Sequence, residues 1–156
     1  MTAIELLKGQ HREVEELMRK VPSSGGATKI SLLGKIAEKL TLHARLEERH
    51  LYPLLRQHGM EQLVAHALEE HTQMRRLISE ILELKRSDPR LEQAVGQLEN
   101  VVRDHVQEEE NEVFPQAREK MDAAVLERAG EEMRRAMGAL ENEELIAQAD
   151  EQPAAP

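Results

Sequence analysis

Apolar residues recur at three- and four-residue spacing along four long stretches of this 156-residue chain. Such spacing places the apolar side chains on one face of an α-helix. The predicted helices cover residues 3–21, 29–57, 60–86 and 90–120. Short segments rich in Pro, Gly and Ser separate them, and Gly59 is a predicted C-terminal cap. Because short connections between long helices favour antiparallel neighbours, the predicted fold class is all-α, an antiparallel up-down-up-down four-helix bundle.

A weaker amphipathic pattern follows these four stretches, over Ala123–Ala147. It predicts an additional C-terminal helix that packs on the bundle or supports an oligomer. We therefore expect a bundle over residues 1–120, a C-terminal helix over 121–147, and a disordered tail over 148–156, where the residues are mostly small or polar.

The composition narrows the classes of function. A formal net charge of −9 disfavours nucleic acid and anionic membrane surfaces as partners. No run of about 18 apolar residues predicts a transmembrane helix, and the first residues do not resemble a secretory signal. The expected location is therefore the cytoplasm. Because the chain contains no cysteine, any metal would be held by nitrogen and oxygen ligands.

Polar residues interrupt each apolar stripe at positions where the pattern calls for an apolar side chain. The interrupting residues are His11 in the first helix, His43 and Glu47 in the second, His71 in the third, and His105 and Glu109 in the fourth. Counting residues from the interhelical turns places the four histidines near one level of the bundle. The two glutamates share a second level, because the second and fourth helices run in the same direction.

The second and fourth helices contain the same pattern, H-x-x-x-E-E-x-x-x-aromatic-Pro. It runs from His43 to Pro53 and again from His105 to Pro115, and it includes the only two aromatic residues other than histidine. This repeat predicts two similar helical hairpins that place matching side chains around a shared centre.

Burial of these six polar residues requires compensation. A buried carboxylate or imidazole without a partner is costly, and the net stability of a folded domain is only ~5–15 kcal/mol. A mutual His–Glu hydrogen-bond network is one alternative, but it does not account for the repeat. A binuclear metal centre does, with two imidazoles on each cation and the glutamates as bridges. Fe, Mn, Zn and Co suit such ligands, and an open position on a redox-active pair would accept O₂, NO or peroxide.

These six residues, with the EE and YP or FP pairs that follow two of them, resemble the hemerythrin-like HHE cation-binding domain over about residues 7–117. The resemblance implies a non-haem di-iron centre inside a four-helix bundle, with the six residues as metal ligands and the two glutamates as bridges. We expect an oxo or hydroxo bridge as the fifth ligand of each iron.

Two features distinguish the chain from respiratory hemerythrins. Those proteins carry a second histidine one turn after the third-helix ligand, where this chain has Arg75. They also end the pattern with His and Asp five residues apart, whereas His105 and Glu109 are four apart. The chain is therefore more similar to bacterial relatives with four histidines and two glutamates. Some of those sense or scavenge O₂, NO or peroxide, and others repair damaged iron centres.

We expect a non-haem di-iron protein that binds or senses O₂, NO or peroxide. Two alternatives stay open: a redox enzyme that turns over peroxide or NO or donates iron, and a helical interaction protein with a structural metal. A reductase partner and a homodimer are compatible with either. His50 and Glu70 are candidates for a seventh ligand, although we favour a boundary position for His50 and a solvated one for Glu70. Glu48 and Glu110 are expected to form hydrogen bonds near the site or to face water.

Overall fold

The computed structural model describes the backbone of residues 1–151 and the side chains of residues 1–143. Within that range the chain is helical and contains no strand. The α-helices are α1 (Ala3–Lys20), α2 (Gly26–Leu46), α3 (Tyr52–Gln57), α4 (Glu61–Glu83), α5 (Arg90–Glu108), α6 (Phe114–Lys120) and α7 (Ala123–Glu151). Two π-helical turns, Glu47–Leu51 and Glu109–Val113, join α2 to α3 and α5 to α6. The second and fourth bundle helices are therefore continuous rods with a wider turn inside them.

The up-down-up-down bundle with an additional C-terminal helix is confirmed. α1 packs against α2, α2 against α4, and α4 against α5, while α7 lies on α1 and the first π turn. The third helix ends at Glu83, before the predicted residue 86. The last helix reaches Glu151 instead of ending at Ala147, because strong helix formers continue through this segment. Residues 148–151 of the predicted disordered tail are thus helical, and residues 152–156 lie outside the described residues.

Local signals define the ends of two helices. The Glu5 backbone N–H donates to the Thr2 hydroxyl at 3.2 Å, and the Glu5 carboxylate accepts from the Thr2 N–H at 2.8 Å. This capping box begins α1. Gly59 follows α3 with a φ of 78°, in the left-handed region that favours glycine, so the predicted cap is confirmed.

Two apolar clusters fill the bundle, one on each side of a band of buried polar side chains. On α1, Leu7 belongs to the first cluster and Val14 to the second, with His11 between them. On α4, His71 likewise separates Ala67 from Met74. The polar band therefore lies between two packed apolar regions, which hold its backbone in place.

The additional helix α7 crosses the start of α1 at Gly130. A Cβ atom at this position would lie 2.4 Å from the Met1 carbonyl oxygen, so only a residue without a side chain allows the two backbones to approach. Leu126 and Met133 are buried on either side of the crossing. In the part of the chain described, none of the helices is both long and apolar enough to cross a membrane.

Candidate metal centre

All six residues singled out in the sequence lie in one buried cluster at the middle of the bundle. Each is between 0% and 3% exposed. They come from every helix of the bundle: His11 from α1, His43 and Glu47 from the second rod, His71 from α4, and His105 and Glu109 from the fourth rod. The cluster divides into two groups of side chains that could each hold a metal ion.

The first group pairs the histidines of α1 and α2. The Nε2 atoms of His11 and His43 lie 3.2 Å apart. His43 Nε2 is 3.1 Å from Glu47 Oε1, and His11 Nε2 is 3.2 Å from Glu109 Oε1. Two imidazole nitrogens and two carboxylate oxygens thus face one point.

The second group pairs the histidines of α4 and α5, whose Nε2 atoms are 3.4 Å apart. His71 Nε2 lies 3.0 Å from Glu47 Oε2, and His105 Nε2 lies 3.1 Å from Glu109 Oε1. Glu47 therefore presents one oxygen to each group. This is the geometry that a bridging carboxylate requires.

The outer nitrogen of each histidine, Nδ1, is held by an oxygen acceptor. The pairs are His11 with Glu110 at 2.9 Å, His43 with Gln10 at 2.8 Å, His71 with Glu48 at 3.2 Å and His105 with Glu70 at 3.0 Å. Because these oxygens only accept, Nδ1 of each neutral imidazole carries the proton, and the Nε2 lone pair then faces the centre. Such partners orient histidine ligands and make them more basic.

When the four imidazoles are neutral, the inward-facing atoms are almost all acceptors. Tyr52 contributes a hydroxyl, 2.8 Å from Glu47 Oε2 and 3.1 Å from Glu109 Oε2, and its single proton serves one of them. Glu47 Oε1 is buried and forms no well-aligned hydrogen bond among the described residues; its neighbour His43 Nε2 lies 3.1 Å away. A buried oxygen in this position, within a set of nitrogen and oxygen atoms that can bind metals, fits a bound cation.

Protons balance the charges when no metal is bound. Burial is the largest single influence on His43 and lowers its pKa, but the Glu47 and Glu109 carboxylates together outweigh burial and raise the pKa to about 9. Burial also lowers the pKa of His105, but the carboxylates of Glu109, Glu47 and Glu70 together outweigh it, so the pKa is raised. Burial and Glu47 push the pKa of Glu109 upward, yet His105 and His11 together outweigh them and lower it to about 2. Metal binding must therefore displace protons from the imidazoles.

Each of the two glutamates begins a π-helical turn. The Tyr52 N–H bonds to the Glu47 carbonyl, and the Phe114 N–H bonds to the Glu109 carbonyl, five residues back in both cases. The proline that follows each aromatic has no N–H, and its ring excludes the carbonyl four residues earlier, so the preceding turn widens.

These π turns place the aromatic residues over the centre. In a regular helix, Tyr52 would be rotated by about 140° from Glu47. The wider turn brings it back to the same face, where its ring stacks on His71 at 5.4 Å. Phe114 stacks on His11 at 5.9 Å. The two halves match, except that one carries a hydroxyl and the other does not. Sequence reasoning missed the π turns, although the repeated aromatic-Pro pair was their signal.

The residues at the edge of the site divide into confirmed and corrected expectations. His50 occupies a boundary position, with its Nδ1 3.6 Å from Glu132, as favoured from the sequence. The solvated position expected for Glu70 is wrong, since this residue is only 9% exposed and accepts a hydrogen bond from His105. Of the two alternatives for Glu48 and Glu110, hydrogen bonding near the site is what the structure shows.

The fold and the cluster define a class, a helical bundle with buried His/Glu groups that could hold metal ions. The sequence model described as the Hemerythrin HHE cation binding domain matches residues 2–117. The chain belongs to this family, which confirms the resemblance in its motifs.

Two known proteins are similar over most of the chain. The crystal structure of a hemerythrin HHE cation binding domain-containing protein from Mycobacterium kansasii aligns with a TM-score of 0.83 and 27% identity, over 99% of this chain and 96% of that one. A DNA nickase from Nostoc sp. is 30% identical over 137 residues. Those residues are 87% of this chain but 39% of the nickase, so the chain spans under half of that relative's length.

Proposed function

We propose that the chain is a non-haem di-iron protein that binds or senses O₂, NO or peroxide. The observation that carries this proposal is Glu47, whose two oxygens face two different histidine pairs. In this proposal His11 and His43 hold one ion, His71 and His105 hold the other, and Glu47 and Glu109 bridge them. Iron would supply redox activity and an open coordination position for a small ligand.

The burial of the centre supports a ligand of only a few atoms. The six candidate ligands are at most 3% exposed, and the buried side chains of Tyr52 and Phe114 close the centre on the side of α3 and α6. A larger organic substrate would have to separate the helices. Small ligands need no such opening, so they fit this centre best.

A redox enzyme acting on peroxide or NO is the second candidate, favoured by Tyr52. Its hydroxyl lies 3.3 Å from His71 Nε2, next to the centre. Burial and the Glu109 carboxylate raise its pKa well above the ordinary range, so it retains its proton at neutral pH. A protonated phenol in this position can donate a hydrogen bond or a proton to a reduced oxygen ligand.

The name of the Nostoc relative is not a guide to the activity proposed here. This chain spans 39% of that protein, and its formal net charge of −9 disfavours binding to DNA. We propose a small ligand rather than nucleic acid as the partner, with a reductase returning the centre to its reduced state and the cytoplasm as its location.

The test is iron loading without oxygen. We expect two Fe per chain in the protein loaded with Fe²⁺ anaerobically, and oxo-bridge charge-transfer bands after O₂ is admitted. His43→Ala should lose both, whereas His58→Ala should keep them, because His58 hydrogen-bonds the Leu54 carbonyl away from the centre. Reversal of the bands under argon would indicate a carrier or sensor, and consumption of added peroxide or NO an enzyme. Zinc alone, or a fully coordinated metal that does not react, would refute the proposal.

A further inference from the structure

Three ligand-type side chains converge outside the buried centre, where α4 passes α5. His66 Nε2 lies 3.0 Å from Glu108 Oε2 and 3.8 Å from Glu70 Oε2. One ligand atom from each residue lies within 4.8 Å of the other two. His66 and Glu70 are one turn apart on α4, and Glu108 is the last residue of α5. One imidazole nitrogen and two carboxylates suit divalent ions such as Mn²⁺, Fe²⁺ and Zn²⁺.

This cluster leads from solvent to the buried centre. The exposed fraction of the side chain falls from 54% at His66 to 23% at Glu108 and 11% at Glu70. His105, one of the four histidines of the centre, lies next to Glu70 and is only 2% exposed. The remaining residues of the centre are equally buried, so an ion from solvent needs a partly exposed place at which to lose its water.

Glu70 belongs to both sites. Its Oε1 accepts from His105 Nδ1 at 3.0 Å, which orients that imidazole toward the centre. Its Oε2 lies 3.8 Å from His66 Nε2, on the side of Glu108. Glu70, whose side chain is 11% exposed, thus presents one oxygen to His105 and the other to the two surface residues.

Glu70 has different charged neighbours from the other two carboxylates that hold a histidine of the centre through Nδ1. Glu110 and Glu48, which hold His11 and His71, each form an ion pair with an arginine, Arg12 and Arg75. Glu70 has no arginine or lysine partner among residues 1–143 and instead lies beside a second carboxylate, that of Glu108. Two neighbouring carboxylates repel each other, and a divalent cation bound between them would relieve that repulsion.

We propose that His66, Glu70 and Glu108 form a second, surface cation site that captures a divalent metal ion before the ion passes to the buried centre. The passage rests on the di-iron function proposed above, whereas the capture does not. Three ligands at a half-exposed position leave the remaining coordination to water, so binding is weak and exchange fast. These are the properties that a loading site needs.

Capture is tested with Mn²⁺ on protein already loaded with Fe²⁺, by following the loss of the aqueous Mn²⁺ signal in electron paramagnetic resonance. We expect one additional weak site per chain, removed by His66→Ala and by Glu108→Gln. Arg75 and Glu70 stay unchanged in these variants, so the buried centre is preserved. His58→Ala is the matched control and should bind like the wild type. Unchanged Mn²⁺ binding in both site variants would overturn the proposed site.

Passage is tested by the rate at which metal-free protein takes up Fe²⁺ under anaerobic conditions. Removing the local carboxylate and imidazole should slow uptake about tenfold, because charged funnels raise association rates by at least that factor. The final iron content should be unchanged. Equal rates in the wild type and both variants would overturn the passage. If the wild type takes up no iron at all, the di-iron proposal fails, while Mn²⁺ titration of the unloaded wild type against the two site variants still decides the surface site.

Discussion

The protonation of His43 predicts how the stability of the metal-free protein depends on pH. The pKa of this histidine is raised from 6.5 to about 9 by the Glu47 and Glu109 carboxylates, which together outweigh burial. A raised pKa means that the folded state binds the proton more tightly than the unfolded chain. The stabilisation is therefore fully present below pH 6.5 and is lost as the pH rises through 9.

The size of the effect follows from the shift. At ~1.4 kcal/mol for each pH unit, the change in pKa corresponds to about 3 kcal/mol of stability. The shift in His105 has the same direction and adds to the loss at alkaline pH. Glu109 acts at the acid end: its pKa is lowered from 4.5 to about 2, so its contribution is present above pH 4.5 and lost as the pH falls through 2. The metal-free protein should therefore be most stable between about pH 4.5 and 6.5.

Metal binding should reverse this dependence between pH 6 and 9. The cation replaces the protons on the imidazoles, so acid competes with the metal and destabilises the loaded protein. The assay is urea unfolding of chelator-treated and metal-loaded protein at pH 6, 7.5 and 9. His58→Gln is the control and should keep the pH dependence of stability in both the metal-free and the metal-loaded form. If the metal-free protein were as stable at pH 9 as at pH 6, the reasoning about His43 would be wrong.

Two further predictions concern residues around the site. Glu48→Ala removes the acceptor that orients His71, so metal affinity should fall by about 10–100-fold in competition with a chromophoric chelator, and an unchanged affinity would contradict this role. Gly130→Ala should lower the unfolding free energy by about 1–3 kcal/mol, because the new Cβ meets the backbone of Met1. Gly138→Ala, in the same helix with no atom within 4 Å of the new Cβ, should instead raise it by roughly 0.5–1 kcal/mol. Equal thermal shifts in the two glycine variants would refute the close approach of α7 to α1.

The candidate site was readable from the sequence because its pattern is local. His43 and Glu47 lie four residues apart, and that spacing on a helix places them on one face whatever the rest of the chain does. The interruptions of the apolar stripes then indicate which face is turned inward. The repeat in the fourth helix adds the matching pair, His105 and Glu109. The six residues could therefore be identified without knowing the distances between the helices.

The contacts between helices were not readable in this way. Glu70 was expected to face water, because its own helix contains no sign of the nitrogen of His105 that it meets from α5. The rotation of one helix about its axis relative to another depends on packing of the whole core, which a single sequence stretch does not encode. The same holds for the approach of His66 to Glu108, and for the arginines that pair with Glu48 and Glu110.

The π turns lie between these two cases. Their cause is local, since Pro53 and Pro115 prevent a regular helical turn before them. Their consequence is tertiary, because the rotated Tyr52 must meet Glu47 and Glu109 from two different rods. By itself, the sequence determined the helices, the inward faces and the six candidate metal ligands, through the period of the α-helix. Only the tertiary structure decided which oxygen faces which histidine, because those distances arise when four helices pack around one centre.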